Sequence, residues 1–99
     1  MSFVTAQPEL LASAANQLQG VGATIATQNA AAAAPTTGVV PAAADAVSAL
    51  TATQFGAHAA IYQEVSAQAA AVHDMFVRTL GVSAGSYEAT EAANANATT

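Results

Sequence analysis

The side chains able to do chemistry are few, and their spacing does not bring them together. His58 and His73 stand fifteen residues apart, about four turns on one helix, so one chain cannot offer both to a single metal ion. Each is read as a core or rim histidine. Ser48, Ser66, Ser83 and Ser86 are read as lacking a nucleophile-elbow context. Glu88 and Glu91, three apart, share a helical face, a spacing that suits solubility better than paired acid/base work. Asn96-Ala97-Thr98 matches a glycosylation sequon, a pattern too short to carry weight. No glycine loop of the phosphate-cradling kind is found, and no cysteine supplies a thiolate or a disulfide. A non-enzymatic protein without metal or cofactor is expected.

The background explains more than the polar groups do. Over 99 residues the chain is 54% hydrophobic and 7% charged, and residues 10–44 carry no ionisable side chain. Globular proteins average about 25% charged residues, because Asp, Glu, Lys and Arg wet the exterior. Something else should cover much of this surface, either a membrane or another chain. A spanning helix needs roughly 20 predominantly apolar residues, whereas residues 10–44 are broken by Asn16, Gln17, Gln19, Gln28, Asn29 and Pro35, so no transmembrane span is expected. The N-terminus lacks the positive region and apolar run of a signal peptide. A net charge of −5, with Arg78 as the sole basic residue, excludes nucleic acid and anionic membrane surfaces as partners.

Alanine dominates, and it is the strongest helix former. Pro8 and Glu9 suit a first helical turn, so helix 1 is expected over about 8–34. Two prolines, a glycine and β-branched residues make 35–41 a connector. Helix 2 is expected over about 42–80, loosened by Gly81 and Gly85. Together these form an all-α, antiparallel two-helix hairpin domain over residues 1–86, followed by a partly disordered tail over 87–99.

Leu11, Ala14, Leu18, Val21 and Ile25 follow three-four spacing and form a narrow seam for the hairpin. On helix 2, Val47, Ile61, Val65 and Val72 share one stripe, and Phe55, Tyr62, Ala69 and Phe76 another. The apolar arc spans roughly 200°, about twice what one neighbour requires. A tight turn at the connector would set Val21 near Phe55, Leu18 near His58 and Leu11 near Val65, leaving helix 2 unpaired beyond about Gln68. A second chain is therefore expected on the overhang and the aromatic face, at Phe55, Tyr62, Val72, Met75, Phe76 and Leu80. Gly20, Gly22 and the alanines of helix 2 would let helices approach closely, and Asp74 and Arg78, four apart, would pair within the helix.

The order of these features is that of a known family. Met1-Ser2-Phe3-Val4, the pair Pro8-Glu9, the charge-free alanine helix, the connector from Pro35-Thr36-Thr37 to Pro41 and Asp45, and Val47-Ser48-Ala49-Leu50 resemble the PE proteins of mycobacteria, named for that Pro-Glu pair. The resemblance runs over essentially the whole chain. It implies a hairpin that docks on two helices of a PPE-family protein, completing a four-helix bundle as an obligate heterodimer. It also implies export by a type VII (ESX) secretion system to the medium or cell surface, with a role there or in host interaction. The family's export signal, Tyr-x-x-x-Asp/Glu, is matched by Tyr87 and Glu91, which one helical turn would place on a common face. In the family the secretion chaperone contacts the PPE chain, so no residue here is assigned to it. Many relatives carry long C-terminal extensions, and this sequence is expected to be the PE domain alone. Two other classes fit less well. Small ESAT-6-like hairpin dimers carry Trp-x-Gly at the turn, and this chain has no tryptophan; a membrane-active amphipathic helix would need basic residues.

Overall fold

The computed structural model describes residues 4–99; Met1, Ser2 and Phe3, which open the family-like motif, lie outside the described residues. Two helices make up the fold, α1 (Pro8–Thr37) and α2 (Ala46–Ala97), with no strand among the described residues. Pro8 opens α1, where its missing N–H costs nothing. The Leu10 amide donates to the Gln7 carbonyl at 3.0 Å, and Glu9 sits in the first turn against the positive end of the helix dipole.

Both helix boundaries in the middle of the chain differ from the sequence expectation. The first helix does not stop at residue 34 but takes in Pro35 and ends at Thr37. Proline removes one donor, and the last turn supplies others. The Thr36 and Thr37 hydroxyls donate to the Ala32 and Ala33 carbonyls at 2.6 Å each, and the Gly38 amide donates to Ala34 at 3.0 Å. The second helix starts at Ala46 rather than 42, because Asp45 is the first residue able to satisfy orphan helix donors. Its carboxylate accepts the Ser48 amide at 2.8 Å and the Ser48 hydroxyl at 2.9 Å. Those bonds hold the Asp45 carboxyl below its usual value of 3.8.

The C-terminal expectation is also corrected. Gly81 and Gly85 do not end α2, which runs on to Ala97, and the stretch expected to be a partly disordered tail is helical almost throughout. Each glycine costs a helix only about 1 kcal/mol, neither has a positive φ, and the alanines and glutamates that follow favour helix.

The chain divides into two units. One joins the chain up to Gly22 with His73–Thr99. Ala15 and Ala84 are buried there, and Leu11, Leu18, Val77 and Leu80 are half-buried. His73 Nε2 lies 2.7 Å from the Leu18 carbonyl oxygen; since a carbonyl only accepts, that nitrogen carries the proton. A Cβ at Gly22 would come within 2.7 Å of two atoms of the same ring, whereas at Gly20 it would meet nothing within 4 Å. Gly22 is the residue that opens the carbonyl to the imidazole.

The other unit, Ala23–Val72, is an antiparallel pair tied by polar groups. Tyr62 donates its hydroxyl to Asn29 Oδ1 at 2.8 Å, and Gln63 Nε2 donates to the Asn29 carbonyl at 3.1 Å. Farther along, a Cβ at Gly56 would lie 3.1 Å from the Thr37 carbonyl oxygen. The tight-turn register therefore fails, since Leu18 meets His73 instead of His58. Its cause is visible in this unit: the end of α1 lies beside Gly56, ten residues or about 15 Å into α2. The connector must run back along those first turns. Val39, Val40 and Ala42 duly line a recess of about 250 Å³ with Val47, Thr51 and Phe55. The overhang expected beyond Gln68 is thus largely occupied, because His73, Val77 and Leu80 turn toward the first unit's interior.

These contacts yield two expectations. Gly20→Ala should stabilise the chain by about 1 kcal/mol through helix propensity, and Gly22→Ala should gain nothing because its methyl displaces His73; thermal unfolding followed by circular dichroism compares them. Asp45 has a depressed folded pKa, so its cap contributes fully above the unfolded value of 3.8 and is lost as pH falls through the lower folded value. The Ser48 amide should stay protected from hydrogen exchange down to that window, and Asp45→Ala should lose the protection at every pH.

Candidate interaction surface

Among the described residues the buried hydrophobic set is Ala15, Ala52 and Ala84, and no large side chain is fully buried. Phe55, Ile61, Val72, Met75 and Phe76 each leave between 52% and 64% of their surface exposed. Burying an alanine methyl removes little apolar area, whereas full burial of a large side chain is worth roughly 1.5–3 kcal/mol. The sites with most to gain are the ones left open.

Their placement is not uniform. In the Ala23–Val72 unit the inner line of α2 runs through Ala52, Ala59 and Gln63, which are buried or half-buried. Phe55 and Tyr62 are rotated from that line by about 60–80°. Ile25 is rotated from the inner Asn29 by about 40° in the same sense. Between antiparallel helices, equal senses of rotation bring side chains to one flank. There Pro35, Thr36 and Val39 face Phe55, His58 and Tyr62 across an open cleft of about 480 Å³. Glu64 is rotated the opposite way, onto the other flank. In the unit containing His73–Thr99, Phe76 is rotated about 70° from the line of His73, Val77, Leu80 and Ala84, while Asp74 and Arg78 are rotated in the opposite sense. Each unit thus has an apolar flank and a charged one.

Hydroxyl groups deepen the division. Thr27, Thr51, Thr53, Thr79 and Thr90 all donate to the carbonyl four residues earlier, at 2.8–3.0 Å. A hydroxyl bonded to its own helix leaves the methyl as the group that meets a neighbour. The exposed surface is drier than its composition suggests.

Several expectations about single residues change. In the expected seam, Leu11 and Leu18 are half-buried, but Val21 and Ile25 are exposed; Ala15, Gly22 and Asn29 take the inner positions instead. Phe55, Tyr62, Val72, Met75 and Phe76 are exposed as a partner surface requires, whereas Leu80 is half-buried on the inner line. Asp74 and Arg78 are both exposed and lie on the charged flank of their unit. Pro8 is half-buried and Glu9 exposed. Tyr87 and Glu91 are exposed on α2, one turn apart.

Among the described residues no three His, Cys, Asp or Glu side chains come close enough to hold a metal. The string Gly81-Val82-Ser83-Ala84-Gly85 does spell Gly-x-Ser-x-Gly, but it lies inside α2. The elbow needs a strained turn from strand to helix, so the string has no elbow geometry. Among the described residues no helix is long and apolar enough to cross a membrane. Gly56, Asn29 and Gln63, which fix the inter-helix contacts of their unit, carry no periodic apolar signal and escape a search for large hydrophobic residues.

An all-helical chain with two long helices, small inner residues and an exposed apolar flank belongs to the class of proteins consistent with a helical hairpin. The model of the PE family matches residues 4–94, and the chain belongs to that family. It is 70% identical to PE family protein PE13 of Mycobacterium tuberculosis over 97 residues, 98% of each chain. It is 59% identical over 97 residues to PE family protein PE8 of the same species, covering 98% of this chain and 35% of that protein. It is also 59% identical over 95 residues to the PE-PGRS family protein PE_PGRS33, covering 96% of this chain and 20% of that one. None of these names specifies an enzymatic activity.

Proposed function

We propose that this chain is a non-enzymatic PE subunit that forms an obligate heterodimer with a PPE-family protein, completing a four-helix bundle, and that it carries a signal for type VII secretion. The observation that carries the reading is the apolar flank of each unit. Phe55, Tyr62 and Phe76 stand more than half exposed on helices whose inner face is too small to bury them. Val72 in one unit and Met75 in the other lie on the outer side of α2, about 160–170° from the inner line. A partner presenting two helices side by side would cover the flank of each unit and leave Glu64 in one, and Asp74 and Arg78 in the other, in water. Full burial at roughly 1.5–3 kcal/mol per side chain is the gain such a partner would supply.

The secretion reading rests on Tyr87 and Glu91. A helical segment gives the phenol and carboxylate a common face for the export machinery, in a stretch where glycine has already lowered helix stability. The exported pair would reside in the medium or at the cell surface, and contact with a secretion chaperone would pass through the PPE chain.

Phe76→Asp should abolish co-purification with the PPE partner while leaving helix content unchanged; recovery of an intact complex would sink the interface. Tyr87→Ala should leave the heterodimer intact and hold it inside the cell. Continued appearance of the pair in culture filtrate would remove Tyr87 from the signal.

A further inference from the structure

We propose that Asn29 is the polar anchor of the partner-binding flank in the Ala23–Val72 unit: its side-chain amide donates to a neutral oxygen of the partner, and so selects which chain the apolar flank accepts. This inference rests on the heterodimer reading and deepens it by naming the chemistry required of the partner at one point. Two bonds fix the residue. The Tyr62 hydroxyl donates to Asn29 Oδ1 at 2.8 Å, and Gln63 Nε2 donates to the Asn29 carbonyl at 3.1 Å. In both of them Asn29 is the acceptor. Its Nδ2 group carries two donors that take part in neither bond, and because Oδ1 is turned toward the phenol, Nδ2 is turned away from it.

The amide lies where a partner on the aromatic flank would cover it. The bond to Tyr62 is exposed, so water reaches the amide while the chain is alone. Tyr62 lines the cleft of about 480 Å³ together with Phe55, Pro35 and Val39, and Ala32, about one turn along α1 from Asn29, lines it too. A helix laid on Phe55 and Tyr62 therefore takes water away from Asn29. A donor buried without an acceptor offsets the gain from burying the rings, so the flank favours a partner that brings an oxygen to this point. Charge decides which kind of oxygen. The acids of this unit are Asp45 and Glu64, and the sole basic residue, Arg78, belongs to the other unit. A carboxylate brought to Asn29 would be buried with no lysine or arginine beside it, whereas an amide, hydroxyl or backbone carbonyl oxygen carries no such cost. The chain uses the same kind of contact between its own helices, at the Leu18 carbonyl with His73 and at the Asn29 carbonyl with Gln63.

The test compares two variants of the full chain with its co-purified PPE-family partner. Tyr62→Phe and Asn29→Leu remove the same inter-helix hydrogen bond, but only Asn29→Leu also removes the donors. A residue that merely ties α1 to α2 gives equal losses. An anchor gives a partner affinity about tenfold lower for Asn29→Leu than for Tyr62→Phe, with helix content unchanged by circular dichroism. A second measurement needs no substitution in the complex: in the isotope-labelled chain, the Asn29 side-chain N–H signals in nuclear magnetic resonance should exchange with water at least about tenfold more slowly once the partner is bound. Equal affinity losses for the two variants, or unchanged exchange in the complex, would each overturn the anchor while leaving the heterodimer standing. Recovery of no partner by the unsubstituted chain would remove the heterodimer reading and the anchor with it.

Discussion

The structure depends on how small the inner face of α2 is. Through the Ala23–Val72 unit that face reads Ser48, Ala52, Gly56, Ala59, Gln63 and Ser66, with Ala52 buried and the others half-buried. Such residues let backbones approach, as the 3.1 Å limit at Gly56 shows, but they remove little apolar area from water. Cohesion then falls to directional bonds, those of Asn29 with Tyr62 and Gln63 in this unit. In the other unit the equivalent bond is that of His73 with the Leu18 carbonyl. Each such bond contributes only about 0.5–1.5 kcal/mol net, which sets the register without supplying a core.

From that constraint the surface follows. With the inner positions taken by small residues, Phe55, Ile61, Val65, Val72 and Phe76 have nowhere to go but outward. The threonines complete the pattern by turning their hydroxyls into the helix backbone, which makes even nominally polar positions compatible with a dry contact. In each unit the charged residues of the paired part of α2, Glu64 in one and Asp74 and Arg78 in the other, stay off the aromatic flank, where they would lose hydration on burial. A low charge content thus goes with a fold whose large apolar side chains stand outward.

The helical class, the two helices and the start of α1 at Pro8 were legible, because alanine content and proline placement act locally. The register was not. It depends on where α2 is capped, and the cap at Asp45 competes with three alanines of higher helix propensity just before it. The exposure of Phe55, Tyr62, Val72, Met75 and Phe76 agrees with what their size and periodicity led one to expect. The inner face was not legible, because a search for large hydrophobic side chains assigns them to the interior, and here Val21 and Ile25 stay out while Ala15, Gly22 and Asn29 go in. Gly22 shows the difficulty: its role is to be absent, and only the position of the His73 ring reveals what a methyl would strike.

Width is the remaining consequence. Apolar side chains on α2 cover an arc of roughly 200°, whereas one neighbouring helix occupies about half of that. Since α1 already occupies the small-residue side, the rest of the arc stays exposed, and its two parts differ in chemistry. The flank of Phe55 and Tyr62 is aromatic and continuous with the cleft beside Pro35 and Val39, a shape that suits insertion of foreign side chains. The outer edge of Ile61, Val65 and Val72 is aliphatic, β-branched and interrupted by glutamine, a composition that is costly to cover without a hydrogen-bonding partner for the amide.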